Sequence, residues 1–192
     1  MASNDDIKLY RPSKYLPKDA ENQLTTPGSD FFCRTWAVAY STLSMWRSAQ
    51  NVRITYKALE SGDVDDLVEY EKGGKLKNVK GVDKPLGPGS YNWRGKGLLK
   101  PFTSHWEVLG WGEQTAPDRE VERWLVIWFA KTLFTEEGVD ILTDRKEGLS
   151  EQTLSAITTQ LKEMKDAKDV VAMIEKKLNP VAVKLPWISS DS

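Results

Sequence analysis

The sequence contains a single cysteine, Cys33, and a single histidine, His105, among 192 residues. One cysteine excludes an intramolecular disulfide. One histidine cannot build the usual zinc site, and no group of His, Cys and carboxylates has metal-ligand spacing, so no metal and no other cofactor is expected. Haem held through His105 stays open in principle, without a supporting motif. A Cys33–His105 nucleophile pair is also conceivable, since such pairs meet in space and not in sequence, but an inert buried thiol is the simpler reading of Cys33. Charge of one sign is lacking as well: 27 basic and 28 acidic residues leave a net charge of -1. That balance argues against nucleic acid bound through a basic face and against an anionic membrane surface. No stretch approaches the roughly 20 apolar residues of a membrane span. The first stretch, "MASNDDIKLYRPSKYLPKDAENQ", has no apolar core of a signal peptide. The expectation is a soluble cytoplasmic protein with no membrane span and no nucleic-acid partner. Nothing in the sequence indicates a protein partner.

What the chain does have is tryptophan, eight of them, within 40% hydrophobic residues. Residues 1–30 are polar, carry Pro12, Pro17, Pro27 and Gly28, and read as an N-terminal arm. Residues 31–192 read as one domain. Eight β-branched and aromatic segments follow the arm: Thr35–Thr42, Val52–Ala58, Val64–Tyr70, Leu76–Val82, Tyr91–Leu98, Ser104–Gly112, Glu122–Phe129 and Val139–Thr143. Turn residues separate them, notably Gly73-Gly74 and the "PLGPG" run Pro85–Gly89, which predicts an all-β meander closing into a sandwich or barrel. After Gly148 the hydrophobic period changes from 2 to 3.6. Leu154, Ile157, Leu161 and Met164 form one helical stripe, and Val170, Val171, Ile174 and Leu178 form a second. The pattern predicts a helical segment over Ser150–Leu178, either continuous or broken near Lys165–Asp169, with Ser150 as N-cap and a stop at Asn179-Pro180. "VAVKL", Val181–Leu185, reads as a ninth short strand.

One segment tests the barrel reading. Trp124 to Ala130, within "RWLVIWFAKTLF", has no polar side chain beyond its indole N–H groups. A strand with one wet face alternates; here both faces are apolar and both need cover. One face would point into the barrel and the other would lie under the following helix. Trp124, Val126 and Trp128 share one face, and Leu125, Ile127 and Phe129 share the other.

Eight strands, a helix and a short return strand is the order found in lipocalins, and particular stretches resemble that family. "RTWAVAYST", Arg34–Thr42, looks like the first lipocalin strand, in which a tryptophan, here Trp36, plugs the closed barrel end. The family usually has Gly two residues earlier, where this chain has Arg34. "GVDILTDRK", Gly138–Lys146, looks like the last barrel strand with the basic residue that packs on that tryptophan, here Arg145. Stretches such as "YNWRGKGLLK", "SHWEVLGWGE" and "FAKTLFTEEGVDI" are similar to the lipocalin-like, or calycin-like, proteins of fungi. The resemblance covers roughly residues 31–165 and implies an all-β fold: an eight-stranded antiparallel lipocalin-like barrel with a C-terminal helical segment packed outside. It also implies binding of apolar small molecules. Some members of fungal secondary-metabolite clusters act as cyclases, among them small hetero-Diels–Alderases that join a tropolone quinone methide to a sesquiterpene.

Read residue by residue, other motifs carry little chemistry. "GSYNWRGKG", Gly89–Gly97, fails as a phosphate loop: the glycine spacing is one residue too long, Gly97 stands where Ser or Thr should hold the metal, and no helix follows. The pairs Asp65-Asp66 and Glu136-Glu137 point to opposite faces of a strand and read as solvated edges and turns. What remains is an aromatic interior with polar tips. Tyr40, Trp46, Tyr56, Trp93, Trp111 and Trp128 are the expected substrate-binding wall. Arg94, Lys96 and His105 are the candidates for a catalytic polar contact. Strand register decides each assignment, because a slip by one residue exchanges Tyr91 and Trp93 for Asn92 and Arg94.

Two functions fit. A cofactor-independent cyclase or hetero-Diels–Alderase needs reactants held in the reacting orientation and one hydrogen-bond donor on a carbonyl oxygen, not a nucleophile or a metal. A non-catalytic carrier or sequestering protein for a hydrophobic ligand would use the same residues.

Overall fold

The computed structural model describes residues 7–133 and 135–189. Eight strands form the barrel: β1 (Thr35–Ser41), β2 (Gln50–Ala58), β3 (Val64–Lys72), β4 (Lys75–Gly87), β5 (Ser90–Gly95), β6 (Thr103–Thr115), β7 (Val121–Phe129) and β8 (Gly138–Thr143). Each pairs antiparallel with the next, and β1 pairs with both β8 and β2, so the sheet closes. The β3–β4 hairpin turns on Gly73 and Gly74 at φ 60° and 71°. Positive φ at both central residues gives the turn whose twist matches the strands, and glycine adopts it without a steric penalty. The "PLGPG" run does not end β4, which continues to Gly87. The ninth strand, β9, is Asn179–Pro180, slightly before the expected Val181–Leu185. It pairs with Tyr40 and Ser41 of β1, just past a bulge at Ala39, whose carbonyl accepts from the Val181 N–H at 2.9 Å.

Among the described residues three α-helices accompany the barrel: α1 (Ser29–Phe32), α2 (Glu151–Lys162) and α3 (Lys168–Lys177). The expected C-terminal helical segment is thus two helices, broken near the expected place. Ser150 caps α2 by accepting from the Thr153 N–H at 3.3 Å. Ile157 and Leu161 of α2 and Val170 and Ile174 of α3 are buried against Trp124, Val126 and Trp128 of β7. Full burial of each aliphatic side chain stabilises by about 2 kcal/mol. Ile7 and Leu24, from the segment preceding α1, join the same outer core. Met1 to Asp6 of the expected arm and the last three residues of the chain lie outside the described residues.

β7 therefore has two apolar covers. Leu125 and Ile127 belong to the inner core with Trp36, Val38, Ile54 and Tyr56, while Trp124, Val126 and Trp128 lie beneath the helices. Placing Trp128 inside the barrel is corrected by this orientation. Its indole N–H finds its acceptor outside, on Glu137 at 2.9 Å, and a buried indole needs such a partner.

The closed end is built by α1 and Trp36. Trp36 is fully buried and donates its indole N–H to the Phe32 carbonyl at 2.9 Å. Its cation is Arg34, 5.6 Å from the ring, not Arg145. Arg34 and Trp36 share strand parity, and the Arg34 guanidinium donates to the Phe31 and Asp30 carbonyls at 2.6 and 2.7 Å. Arg145 instead pairs with Asp118 on the surface. The residue that departs from the lipocalin pattern thus supplies the cation–π contact itself.

Carboxylates clamp the outer layer. Glu122, fully buried on β7, accepts from the Ser150 N–H at 2.9 Å and from the hydroxyls of Ser150 and Thr153, tying α2 to the barrel. Glu107 on β6 accepts from the Ser13 N–H at 2.7 Å. Glu137 accepts from the Tyr15 hydroxyl and the Lys14 ammonium, each at 2.6 Å. The reading of Glu137 as a solvated turn residue is corrected, whereas Glu136 is exposed and pairs with Lys177. No described helix is long and apolar enough to cross a membrane.

Candidate functional site

Alternation along the strands sends one side chain in two to the barrel axis. On that rule Ile54 and Tyr56 enter from β2, Asp66 and Val68 from β3, Trp93 from β5, Trp106 from β6, Ile127 and Phe129 from β7, and Asp140 from β8. They line a cavity of about 1030 Å³. Its lower part is closed by aromatic stacking: Phe32 of α1 lies 4.4 Å from Tyr56, and Tyr91 lies 4.4 Å from Trp106. Its mouth is framed by three connections at the other barrel end, which contribute Trp46, Phe102 and Thr132 among others. Gly81 on β4 makes room for the wall, because a Cβ there would fall 2.0 Å from the Trp93 indole nitrogen.

The interior is mostly apolar and yet holds three carboxyl groups. Asp66 and Asp140 line the cavity, and Asp83 is buried behind it. Burial pushes the Asp66 carboxyl well above its ordinary value, and the nearby charges of Asp83 and Asp65 push it further. Asp83 is pushed up to about 7 by burial, although the Trp106 indole N–H, 2.7 Å away, pulls it back. Asp140 is also pushed up to about 7 by burial, against the opposing pull of the Ser41 hydroxyl and the Arg47 charge. The Trp46 indole lies near enough to Asp140 to favour its charged form, but makes no hydrogen bond of normal geometry. Burial likewise lifts the Tyr56 hydroxyl well above 10, with further pushes from Asp66, Asp83 and Asp140. Near pH 7 the cavity therefore presents proton-bearing oxygens instead of a full set of charges.

The structure brings together only part of the residues expected from the sequence. Trp46, Tyr56 and Trp93 line the cavity. Tyr40 does not: the bulge at Ala39 turns it to the outer core. Trp128 is outside as well, for the reason given above. Trp111 lies on the inner side because a second bulge, between Val108 and Gly110, reverses the parity of β6. It packs on Phe31 at 4.9 Å near the closed end, away from the cavity. Arg94 and Lys96 are exposed; Arg94 donates to the Lys100 carbonyl at 3.2 Å, and Lys96 pairs with Asp65. His105 borders the mouth, but its imidazole turns outward, with Nε2 2.9 Å from Glu107. Burial alone would raise the Glu107 carboxyl, but the hydrogen bonds from His105 and Ser13 prevail and hold it below its usual range.

The interior carboxyl groups, which the sequence reading did not place there, are aspartates. Reading Asp66 as a solvated edge residue is corrected: it is buried. The signal was present in the alternation Val64, Asp66, Val68, Tyr70, which puts one acidic residue on an apolar face. Asp140 alternates with Leu142 in the same way. Asp83 sits beyond the expected end of its strand, so alternation had nothing to place.

Among the described residues no group of three or more His, Cys, Asp or Glu is arranged to hold a metal ion. A scan against protein-family models finds no match, and a search of curated proteins finds none either.

Proposed function

We propose that this chain binds an apolar, ring-containing small molecule inside its barrel and orients it for a cyclisation or hetero-Diels–Alder cycloaddition in natural-product biosynthesis. The observation that carries the binding is the cavity of about 1030 Å³ walled by Trp46, Tyr56, Trp93, Trp106 and Phe129. It is of the size that encloses a drug-sized molecule, and flat aromatic walls fix the plane of a ring. The catalytic part draws on orientation, which removes translational and rotational freedom, and on proton-bearing Tyr56 and Asp66 as hydrogen-bond donors. It draws also on the resemblance to the fungal lipocalin-like cyclases. A cytoplasmic site of action belongs to the same proposal, supported by the free thiol of Cys33.

One observation favours a carrier. Met45 and Leu133 at the mouth are exposed apolar side chains, which suits handing a ligand to or from an apolar environment.

The experiment is a fluorescence titration of the protein with neutral bicyclic and tricyclic aromatic ketones, followed by chromatography of the mixture. Binding quenches tryptophan emission. Gly81→Leu, which forces the Trp93 indole toward the cavity, weakens it at least tenfold, whereas Trp128→Phe leaves affinity unchanged. An unchanged affinity in Gly81→Leu would refute the cavity as the binding site. Cyclised product from a diene–dienophile pair separates the catalyst from the carrier.

A further inference from the structure

Two buried polar atoms in the cavity wall have no hydrogen-bond partner: Oδ1 of Asp66 and Nε1 of Trp46. Each residue is 7% exposed. Polar groups buried in a protein are almost always satisfied, and Trp46 has Asp140 nearby, so the unpartnered carboxyl oxygen of the cavity-lining Asp66 points to a partner that arrives with the ligand. The two atoms belong to different elements, Asp66 to β3 and Trp46 to the turn Ser44–Ser48.

Their chemistry narrows that partner. An indole N–H donates and never accepts. Asp66 faces Asp83 from β4 and Tyr56 from β2, with Asp65, paired to Lys96, beside it on its own strand; Asp140 of β8 acts on the same Tyr56. The only Lys or Arg side chain lining the cavity among the described residues is Lys131, which is exposed at the mouth. With burial foremost, Asp83 and Asp65 nearby and no cation in the interior, the Asp66 carboxyl favours its protonated form, and a protonated carboxyl donates. A cationic ligand would suit ionised aspartates, but it offers nothing to the Trp46 N–H. An acceptor oxygen suits both groups.

We propose, building on the binding function above, that the ligand carries a carbonyl oxygen and that the Asp66 carboxyl group donates a hydrogen bond to it, so that Asp66 selects oxygenated ring compounds over hydrocarbons. In a conjugated carbonyl compound the same hydrogen bond withdraws electron density from the adjoining double bond. That is the polarisation a cycloaddition partner needs.

The test uses two fluorescent probes of one shape: a 6-acyl-2-dimethylaminonaphthalene, whose emission shifts to the red when its carbonyl accepts a hydrogen bond, and the 6-alkyl analogue without the carbonyl. Affinities are measured from pH 5 to pH 10 on the wild-type chain, Asp66→Asn and Asp66→Leu, with circular dichroism confirming that each variant is folded. The ketone should bind about tenfold more tightly than the alkyl analogue and with red-shifted emission, the size expected for one hydrogen bond to an otherwise unpartnered buried group. That preference should fall as rising pH ionises Asp66. It should vanish in Asp66→Leu, and in Asp66→Asn, whose amide still donates, it should persist with a pH dependence weaker than in the wild-type chain, the remainder belonging to Asp83 and Asp140. Should Asp66→Leu fail to fold, the difference between the wild-type and Asp66→Asn pH profiles decides, and identical profiles overturn the role of Asp66. Equal binding of the two probes by the wild-type chain overturns the role of Asp66 and leaves the binding function standing. A preference for an aminoalkyl analogue that grows with pH also overturns it and makes the cavity a cation site. Binding of no probe overturns the binding function itself.

Discussion

Replacing Asp140 by Asn should flatten the dependence of stability on pH. Asp140 is fully buried, and its carboxyl rises from an ordinary value of 3.8 to about 7 on folding, because burial penalises the ion more than the Ser41 hydroxyl and the Arg47 charge favour it. A raised folded value means that the native state holds the proton more tightly than the unfolded chain. The resulting stabilisation is complete below pH 4 and is lost as pH rises to about 7. Each tenfold change in proton affinity is worth about 1.4 kcal/mol, so the loss across this window is on the order of 4 kcal/mol. Asn has the same shape, can still accept from Ser41, and cannot ionise. Urea unfolding of both chains at half-unit steps from pH 4 to pH 8 gives two curves of stability against pH. Their difference should change by about 4 kcal/mol in favour of Asn as pH rises, with the slope concentrated between pH 4 and pH 7. Asp66 and Asp83 contribute to both curves and cancel in the difference. Parallel curves would show that Asp140 is ionised in the native state throughout and would refute the assignment of a protonated interior.

The two arginines at the closed end should separate cleanly. Arg34→Ala removes the cation over Trp36 together with two hydrogen bonds to backbone carbonyls, and should cost about 2–3 kcal/mol in thermal or urea unfolding; Arg145→Ala breaks a surface pair with Asp118 and should cost under about 1 kcal/mol. The reverse order would restore Arg145 as the partner of Trp36. Glu122→Ala leaves the Ser150 and Thr153 donors unpaired beneath α2 and should cost about 2–4 kcal/mol, with hydrogen exchange accelerated first in 151–162; uniform exchange along the chain would show that Glu122 does not hold the helix.

The barrel was legible in the sequence because it rests on local periodicity. Alternation over eight segments, glycine pairs at turns and the change to a 3.6-residue period after Gly148 are properties of neighbouring residues, and they suffice to place strands and helices within a few positions. Two apolar faces on 124–129 told that the strand needed cover on both sides. They did not tell which face was the interior, since Leu125 and Ile127 are as apolar as Val126 and both sets bury equally well. Only tertiary structure decided that. Closure of the sheet sent the leucine face to the axis and left the Trp128 N–H beside Glu137. Bulges at Ala39 and between Val108 and Gly110 then reversed the parity of Tyr40 and Trp111, and a bulge is set by pairing with distant strands, not by its own residues. The candidate site follows the same division. Its aromatic character came from composition, and Asp66 and Asp140 stood on apolar alternations that the sequence displayed. That Asp66 and Asp140 line one cavity with Asp83 buried behind it, and so hold their protons more tightly, is chiefly a matter of burial, which does not exist until the eighth strand closes on the first.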